Sequence, residues 1–278
     1  MESFAGKIAM VTGGASGIGR ALCLELARRG AVVHVTDKNG PGAIAVASQI
    51  AKAGGRATSD GLDVTDFEAV KRQIDGLVER HGRIDLLFNN AGFGLFAEQR
   101  YVTVDDWRRV LDVLLMGVVY GVQAVYPHMV RQGSGHIVNT ASVAGLGPTP
   151  FTASYCAGKH AVVGLSTSLR AEGAALGVKV SVVCPGFIDT PILVTSELRG
   201  GLDRQAMLAM TPKPMSPERC ARIVLDGVAR NRAIIVVTAF GWLLWALERL
   251  SPTLVAWIWK LAVARLRATA RSSGAAES

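Results

Sequence analysis

Three residues have the types and spacing needed to exchange a proton with an alcohol or a ketone. Tyr155 and Lys159 are four residues apart in a stretch with helical periodicity, so they share one helix face. Tyrosine, with a pKa of about 10, is a poor base near neutral pH, but a neighbouring ammonium stabilises the phenolate and lowers that pKa. Ser142, after the apolar run 136–140, is placed to hydrogen-bond the substrate oxygen. We predict Tyr155 as the acid/base, although a Tyr-x-x-x-Lys pair alone is common on helix surfaces.

A glycine-rich segment lies between the first apolar run and a helical pattern. It reads Thr12-Gly13-Gly14-Ala15-Ser16-Gly17-Ile18-Gly19. Glycines are needed where the backbone turns tightly against a pyrophosphate, and the following helix offers unpaired N–H groups and the positive end of its dipole to phosphates. Glycines also make ordinary turns, so it is the strand–turn–helix context that favours a dinucleotide site.

Asp37 ends the second predicted strand, about 20 residues after the glycines. A carboxylate at this place accepts hydrogen bonds from ribose hydroxyls and repels a 2′-phosphate, which favours NAD over NADP. Lys38 is the dissenting feature, because its ammonium can receive a 2′-phosphate if Asp37 turns away. NAD is therefore the preferred cofactor and NADP the alternative, while the purely structural interpretation of Asp37 is a solvated strand end.

The elements that must position these residues alternate between β-branched runs and amphipathic stretches. The predicted strands are 8–11, 31–35, 57–62, 84–88, 136–140, 178–184 and 233–237, and the predicted helices are 17–29, 40–54, 66–81, 103–132, 152–176 and 216–230. Runs that are apolar on both faces indicate a parallel sheet covered by helices on both sides. Right-handed crossovers then give a single doubly wound sheet of the α/β class, a Rossmann fold.

In order and spacing, the motifs of the chain resemble those of the classical short-chain dehydrogenase/reductase family. They are TGGASGIG, Asp63-Val64, Asn89-Asn90-Ala91-Gly92, Ser142, Tyr155-Cys156-Ala157-Gly158-Lys159 and Pro185-Gly186-Phe187-Ile188-Asp189-Thr190. Each is unspecific alone, but jointly they are highly specific, and the resemblance covers about residues 5 to 240. It implies a nicotinamide-dependent oxidoreductase that transfers a hydride between the cofactor and an alcohol or ketone.

The resemblance also assigns expected roles to individual positions. Tyr155 would be the acid/base, Lys159 its electrostatic partner and a ribose ligand, and Ser142 the donor to the substrate oxygen. The implied cofactor-binding residues are Thr12, Gly13, Ser16, Gly17, Ile18 and Gly19 around the pyrophosphate, Asp63 and Val64 beside the adenine, Asn89, Ala91 and Gly92 supporting the cleft, and Pro185, Gly186, Ile188 and Thr190 at the nicotinamide carboxamide.

One position departs from the family pattern. Leu114 stands where the family commonly has an asparagine that helps hold a water joining the lysine to solvent. Leucine has no polar side-chain group for this, and Asp112 points to a different helix face. One possibility is that a backbone carbonyl still anchors the water and activity survives. The other is that proton exchange is slow and the enzyme is impaired. We favour the first, because the three reacting residues are intact.

Apolar residues near the nicotinamide motif predict a hydrophobic substrate. A substrate lid is expected at about 190–217, and only Arg199 and Arg204 are candidates to bind an anionic group there. An apolar pocket suits a steroid, a retinoid or a long-chain alcohol, although the same residues could merely pack the lid. The candidate substrate contacts beside Ser142 are Phe93, Leu146, Phe151, Phe187 and Leu193.

The C-terminal segment 240–278 is rich in tryptophan and arginine. Pro252 divides it into two predicted helices, and the second apolar run reaches Lys260 too soon to span a bilayer, which needs about 20 residues. Tryptophans beside basic residues favour a helix in an anionic membrane interface, with packing on the core or on another subunit as the alternative. The residues concerned are Trp242, Trp245, Trp257 and Trp259 with Arg249, Lys260, Arg265, Arg267 and Arg271.

Composition narrows the remaining function classes. The net charge of +8 comes without a Lys/Arg block and interleaved aromatics, which argues against nucleic acid. The four cysteines form no CxxC pair, so we expect reduced thiols and no metal. The N-terminus reads MESFAGKIAM, without a secretory signal pattern, which predicts a cytoplasmic protein. The composition of residues 240–271 adds the expectation of peripheral contact with the cytoplasmic face of a membrane.

The predicted organisation is a catalytic domain, 1–239, followed by the amphipathic extension 240–278. As the family resemblance implies, the helices at about 103–132 and 152–176 would form a homodimer or homotetramer. The preferred function is an NAD-dependent alcohol dehydrogenase or ketoreductase. The alternatives are an NADP-dependent carbonyl reductase and a catalytically impaired nucleotide sensor or membrane-associated scaffold, motivated by Leu114 and the extension.

Overall fold

Nine strands build one large sheet and one short ladder in the computed structural model, which describes residues 3–200, 202–209 and 211–272. The strands are β1 Ile8–Thr12, β2 Val32–Asp37, β3 Arg56–Gly61, β4 Leu86–Asn89, β5 Leu95–Phe96, β6 Gly135–Thr140, β7 Val178–Cys184, β8 Glu197–Leu198 and β9 Ile234–Val236. Seven of them form a sheet in the order β3-β2-β1-β4-β6-β7-β9, with every neighbouring pair parallel.

Eleven α-helices connect or follow the strands within the described residues. They are α1 Gly17–Arg28, α2 Gly40–Lys52, α3 Phe67–His81, α4 Val104–Leu111, α5 Gly117–Gln132, α6 Ala153–Gly173, α7 Ile192–Thr195, α8 Arg204–Ala209, α9 Pro217–Ala229, α10 Ala239–Leu250 and α11 Pro252–Ser272. A π-helical turn, Asp112–Met116, joins α4 to α5.

The predicted fold class is confirmed: the sheet is parallel, doubly wound and flanked by helices on both faces. The predicted helix 103–132 is present as one helical run, Val104–Gln132, in which a π-helical turn lies between α4 and α5. The predicted lid contains α7, β8 and α8, which the sequence pattern did not reveal. Gly201 and Met210 of that lid, and residues 273–278 of the predicted extension, lie outside the described residues.

Local side-chain chemistry explains where several helices begin. The Asn39 side chain accepts a hydrogen bond from the Gly42 N–H at 3.1 Å, and the Asp66 side chain accepts one from the Ala69 N–H at 3.0 Å. Each bond satisfies one of the backbone donors that the first turn of a helix leaves without a partner. The side chains of Asn39 and Asp66 therefore fix where α2 and α3 begin.

Two apolar clusters cover the two faces of the sheet. One joins α1, α2 and α9 to the strands through residues such as Leu22, Ile50 and Val224. The other joins α3, α5 and α6 through residues such as Ile74 and Val125. The continuous helical run Val104–Gln132 is long and apolar enough to cross a membrane by length and composition, but it contributes to this second cluster, as a core helix does.

Candidate active site

A large cavity opens at the carboxyl ends of β1, β4, β6 and β7. In a parallel sheet these ends lie at one edge, so the loops that follow them meet there. The cavity has a volume of about 1050 Å³. One end is lined by the glycine-rich loop and the end of β2, and the other by apolar residues of the lid and of α10 and α11. It therefore has the space and the two chemically different ends that a dinucleotide and a substrate need.

Ser142, Tyr155 and Lys159 come together on one wall of this cavity. Ser142 follows β6, and its hydroxyl is hydrogen-bonded to that of Tyr155 in the first turn of α6. Lys159 lies one turn further, with its Nζ 5.6 Å from the centre of the Tyr155 ring. This Nζ donates a 2.8 Å hydrogen bond to the Thr140 carbonyl. The three groups are therefore arranged to bind a substrate oxygen and exchange its proton.

The pKa of Tyr155 differs in direction from the sequence-based expectation. Burial raises it to about 12, which the hydrogen bond with Ser142 only partly opposes. Burial also lowers the pKa of Lys159, to about 8. Removing both groups from water thus disfavours their charged forms more than the Lys159 ammonium favours the phenolate. The expectation that Lys159 and the positive charge of oxidised nicotinamide together bring the tyrosine towards neutrality stays a prediction.

The pKa of Lys159 gives the stability of the protein a predictable pH dependence. The folded protein releases this proton near pH 8, whereas an amine with the ordinary pKa of 10.5 releases it later. Between these values the unfolded chain binds more protons, so this group makes the free energy of unfolding rise with pH. From pH 7 to 9.5, wild type should gain about 2 kcal/mol over Lys159→Met in urea denaturation. Parallel stability curves for the two proteins would contradict this.

Leu114 lies on the π-helical turn behind the reacting residues. Its side chain is 1% exposed and packs with Leu95 and Val110 in a small apolar cluster that includes Tyr155 at its margin. A Cβ built on Gly92 would lie 2.9 Å from the Leu114 Cδ2 atom. The leucine therefore fills the space behind the tyrosine with hydrocarbon, and single π-helical turns are frequent at functional sites.

The glycine-rich loop has the backbone geometry that its sequence indicates. Gly13 and Gly17 adopt φ values of +65° and +51°, which L side chains rarely adopt. A Cβ on Gly13 would lie 2.8 Å from the Ala91 Cα atom, and one on Gly19 would lie 2.0 Å from the Gly13 carbonyl oxygen. Bare glycines thus keep the loop tight against α1 and the end of β4. A dinucleotide pyrophosphate fits this loop.

Asp37 and Lys38 have different surroundings. The Asp37 carboxylate lines the cavity and accepts hydrogen bonds from the N–H groups of Ala15, at 3.0 Å, and Asn39, at 2.9 Å. Lys38 is 81% exposed along its side chain, and its Nζ forms a 2.7 Å ion pair with Asp63. This pair, with bonds from Thr65, lowers the pKa of Asp63 to about 2. The Asp37 carboxylate is therefore held in place by backbone N–H groups, and the Lys38 ammonium is paired with Asp63.

Most of the residues predicted for the cofactor line the cavity, and three do not. Thr12 is buried, and its hydroxyl accepts hydrogen bonds from the N–H groups of Asn90 and Ala91 at 3.0 and 3.1 Å. The Asn89 side chain lies against α5 and donates to Asn139, and Gly19 packs under the loop. These three organise the wall from behind. The predicted residues that line the cavity are Gly13, Ser16, Gly17, Ile18, Asp37, Asp63, Val64, Ala91, Gly92, Pro185, Gly186, Ile188 and Thr190.

Two of the predicted substrate contacts lie outside the cavity. Leu146 packs against the core on the side of α5 and α6. Phe151 has a φ of +63°, and its carbonyl accepts a hydrogen bond from the Ala97 N–H at 2.8 Å. The structure does not bring these two residues to the cavity wall, because the direction of a side chain in an irregular loop depends on backbone angles that sequence proximity does not give. Phe93, Phe187 and Leu193 do line the cavity.

Three cavity residues of functional interest lie outside the sequence-based expectations, and a fourth, Asn90, belongs to the motif Asn89-Asn90-Ala91-Gly92 that was expected to support the cleft. Asn90 lines the cavity beside Thr12 and Ala91, and its side chain donates to the Thr12 carbonyl at 3.1 Å. The family motif contains this residue, so the signal was present in the sequence. Phe240, Leu244 and Trp259 reach the apolar end of the cavity from α10 and α11. No local pattern marks these three, since they depend on how the C-terminal helices fold back.

The lid is fastened by polar contacts of its own residues. Arg109 on α4 forms two 2.7 Å hydrogen bonds with the Glu197 carboxylate, and β8 pairs with β5. Arg199 contacts Asp106 and Glu197. Arg204 donates to the carbonyls of Leu193 and Ser196, at 2.6 Å each. The two arginines that were candidates for an anionic substrate group therefore stabilise the lid instead.

The chain is similar in sequence to known dehydrogenases and oxidoreductases. A family model described as short chain dehydrogenase matches residues 7–199. A putative oxidoreductase, SadH, of Mycobacterium tuberculosis is 37% identical over 243 residues, which are 85% of this chain and 88% of that protein. Cyclohexanol dehydrogenase of an Acinetobacter species is 37% identical over 197 residues, which are 70% of this chain and 78% of that protein.

A solved structure extends the similarity to three dimensions. A short-chain dehydrogenase/reductase from Burkholderia phymatum, in complex with NAD, matches with a TM-score of 0.82 and 31% sequence identity. The match covers 90% of this chain and 95% of that one. The chain therefore belongs to the short-chain dehydrogenase/reductase family and is an oxidoreductase that acts on the CH–OH group of its donor.

Proposed function

We propose that this enzyme interconverts a hydrophobic alcohol and its ketone or aldehyde with NAD. The observation that carries the substrate class is the apolar end of the cavity beside Ser142 and Tyr155. Its lining includes Phe93, Phe96, Phe187, Ile192, Leu193, Phe240, Leu244 and Trp259. Apolar contact area favours ring systems or long chains, such as a steroid, a retinoid or a long-chain alcohol. A relative that is named for an alicyclic alcohol, cyclohexanol, supports this class.

The residues that would hold the cofactor follow from the two ends of the cavity. Gly13, Gly17 and Ile18 would contact the pyrophosphate, and Asp37 would accept hydrogen bonds from the adenosine ribose. Pro185, Gly186, Ile188 and Thr190 lie at the opposite end, where the carboxamide would bind. When bound, oxidised nicotinamide supplies a hydride acceptor and a positive charge that adds to that of Lys159.

The proton step belongs to the chain itself. During oxidation Ser142 holds the substrate oxygen, and Tyr155 Oη takes the hydroxyl proton as the carbon–oxygen double bond forms. During reduction Tyr155 returns this proton to the oxygen. Lys159, anchored by the Thr140 carbonyl, stabilises the phenolate. The burial that raises the pKa of Tyr155 also lowers the local dielectric constant, so each charge near the oxygen acts strongly.

We propose that activity survives Leu114. Lys159 reaches a backbone carbonyl directly, and that contact needs no side chain at position 114. The alternative function, a nucleotide sensor or scaffold, is favoured by the hydrocarbon that Leu114 places behind Tyr155. It predicts cofactor binding without turnover.

The test is turnover of a panel of primary and secondary alcohols by the full chain. Cyclohexanol, decalols, hydroxysteroids, retinol and long-chain alcohols would be offered with NAD or NADP, and the ketones or aldehydes with the reduced cofactors. Reduced nicotinamide is followed by absorbance. We expect kcat/KM to rise with apolar area and NAD to be preferred. Tight NAD binding without turnover in either direction would replace this proposal by the sensor or scaffold.

Asp37 should decide the choice of cofactor. Asp37→Asn removes the charge that repels a 2′-phosphate and keeps an oxygen that can accept the Ala15 or Asn39 N–H. Because juxtaposed like charges cost several kcal/mol, we expect the ratio of kcat/KM for NADP to that for NAD to rise roughly 100-fold. Lys38→Ala is the matched control, since Lys38 is paired with Asp63, and it should keep the wild-type preference. An unchanged ratio in Asp37→Asn would contradict the assignment.

The proposal extends to assembly and location. Helices α5 and α6 would pair in a homodimer or homotetramer, as the family resemblance implies. The enzyme would work in the cytoplasm, with residues 240–271 in peripheral contact with a membrane. The tryptophans and basic residues of α10 and α11 support this contact.

A further inference from the structure

Helix α11 has apolar residues on two opposite faces. Its inner face carries Val255, which is buried, and Trp259, which lines the substrate cavity. Its outer face carries Leu254, Trp257, Ile258 and Leu261, all exposed and spaced three or four residues apart. We call these four residues the outer stripe. A helix that only covers a core turns polar residues outward. We therefore expect another molecule to cover the outer stripe.

The inner face fixes α11 to the rest of the molecule. The helix packs against α10, and near its other end Arg267 forms a 2.7 Å ion pair with Glu98, which follows β5. The helix therefore crosses the apolar end of the cavity with both ends attached. Its outer stripe is consequently a fixed surface feature, about 11 Å long at the helical rise of 1.5 Å per residue.

Charge distinguishes an anionic lipid surface from a second copy of the chain as the molecule that covers the outer stripe. Residues 240–271 contain five Lys and Arg residues and one Glu, a net charge of +4 out of +8 for the whole chain. Lys260 and Arg265 are exposed on the same helix as the outer stripe. A second copy of this surface would bring like charges together, which disfavours a symmetric dimer here. An anionic lipid surface complements both the charge and the apolar side chains.

We propose that the outer stripe of α11 docks on an anionic phospholipid bilayer. Trp257 and its neighbours would enter the headgroup region, while the basic residues contact lipid phosphates. Because Trp259 lies on the opposite face of the same helix, docking places the apolar end of the cavity next to the bilayer. The enzyme would thus receive hydrophobic alcohols from the membrane, a consequence that rests on the proposed function, whereas docking itself does not.

The experiment is flotation of the full chain with vesicles at 150 mM NaCl. One set contains phosphatidylcholine alone, and the other contains 30% phosphatidylglycerol. We expect wild type to partition at least roughly tenfold more strongly onto the anionic vesicles. Trp257→Glu should lower that partitioning about tenfold, and Lys260→Glu should lower it on anionic vesicles. Ile44→Glu, at an exposed apolar residue of α2, is the matched control and should float like wild type.

Each outcome of this experiment supports or overturns the docking proposal. Failure of wild type to float with anionic vesicles, or equal flotation of Trp257→Glu, overturns it. Light scattering reports the alternative occupant: a wild-type oligomer that Trp257→Glu dissociates, without vesicle binding, would make the outer stripe a protein interface. Turnover of the full panel of alcohols, and of the matching ketones and aldehydes, is measured in buffer beside flotation, and circular dichroism shows folding. Flotation without turnover would reject the proposed function and keep the docking.

Discussion

Tyr155→Phe is expected to lower kcat about 1000-fold while leaving NAD affinity within threefold of wild type. General acid–base catalysis typically contributes 10²–10⁴-fold to a rate, and phenylalanine removes the only atom of Tyr155 that can exchange the substrate proton. The ring itself packs at the margin of the Leu114 cluster, and phenylalanine preserves that contact. The variant should therefore fold and bind cofactor normally.

Two measurements separate this loss from a structural defect. Single-turnover oxidation followed by absorbance gives the rate of hydride transfer, and calorimetric titration gives the affinity for NAD. Tyr126→Phe, at a half-buried tyrosine of α5, is the matched control and should keep full activity. A Tyr155→Phe variant that retains more than a tenth of wild-type kcat would show that another group exchanges the proton.

Gly19→Ala is expected to weaken NAD binding by at least about 100-fold. The added Cβ would lie 2.0 Å from the Gly13 carbonyl oxygen and 2.6 Å from the Asn90 Nδ2 atom. Neither neighbour can yield alone, because Asn90 is hydrogen-bonded to the Thr12 carbonyl. The whole phosphate-binding loop must move, and a displacement worth about 3 kcal/mol of lost binding is within the range of overpacking effects.

Gly76→Ala is the matched control for this substitution. A Cβ on Gly76, in α3, meets nothing within 4 Å. Alanine there should raise the free energy of unfolding by about 0.4–1 kcal/mol and leave NAD affinity unchanged. Calorimetric titration and thermal unfolding of both variants provide the comparison. Normal affinity in Gly19→Ala would show that the loop tolerates the contact.

Sequence patterns predicted those parts of the molecule whose structure is locally determined. The seven strands of the main sheet lie within about two residues of their predicted bounds. Most of them are apolar on both faces and can be recognised in a few adjacent residues, whereas the edge strand β3 is polar and gave a weaker pattern. The reacting residues came together as predicted, since Tyr155 and Lys159 are one helical turn apart and Ser142 follows a neighbouring strand. Local spacing and strand order were sufficient for both.

What the sequence could not predict depends on contacts distant along the chain. Burial raises the pKa of Tyr155, and the neighbouring residues in the sequence do not show that the tyrosine is buried. Leu146 and Phe151 occur beside the site in sequence but are absent from the cavity wall. Trp259 is 104 positions from Tyr155 and lines the same cavity only because α11 folds back.

The pairing of β5 with β8 attaches the lid to the rest of the molecule, so the lid is not a freely moving loop. Opening it at this point requires breaking the backbone bonds from Glu197 to Gly94 and from Arg199 to Phe96, together with the exposed Arg109–Glu197 pair. These contacts involve only residues of the protein, so the lid is closed before a substrate binds, and it opens when the contacts break together. The ionic contact among them is screened by salt, so we expect the residence time of a bound ligand to be shorter at high ionic strength.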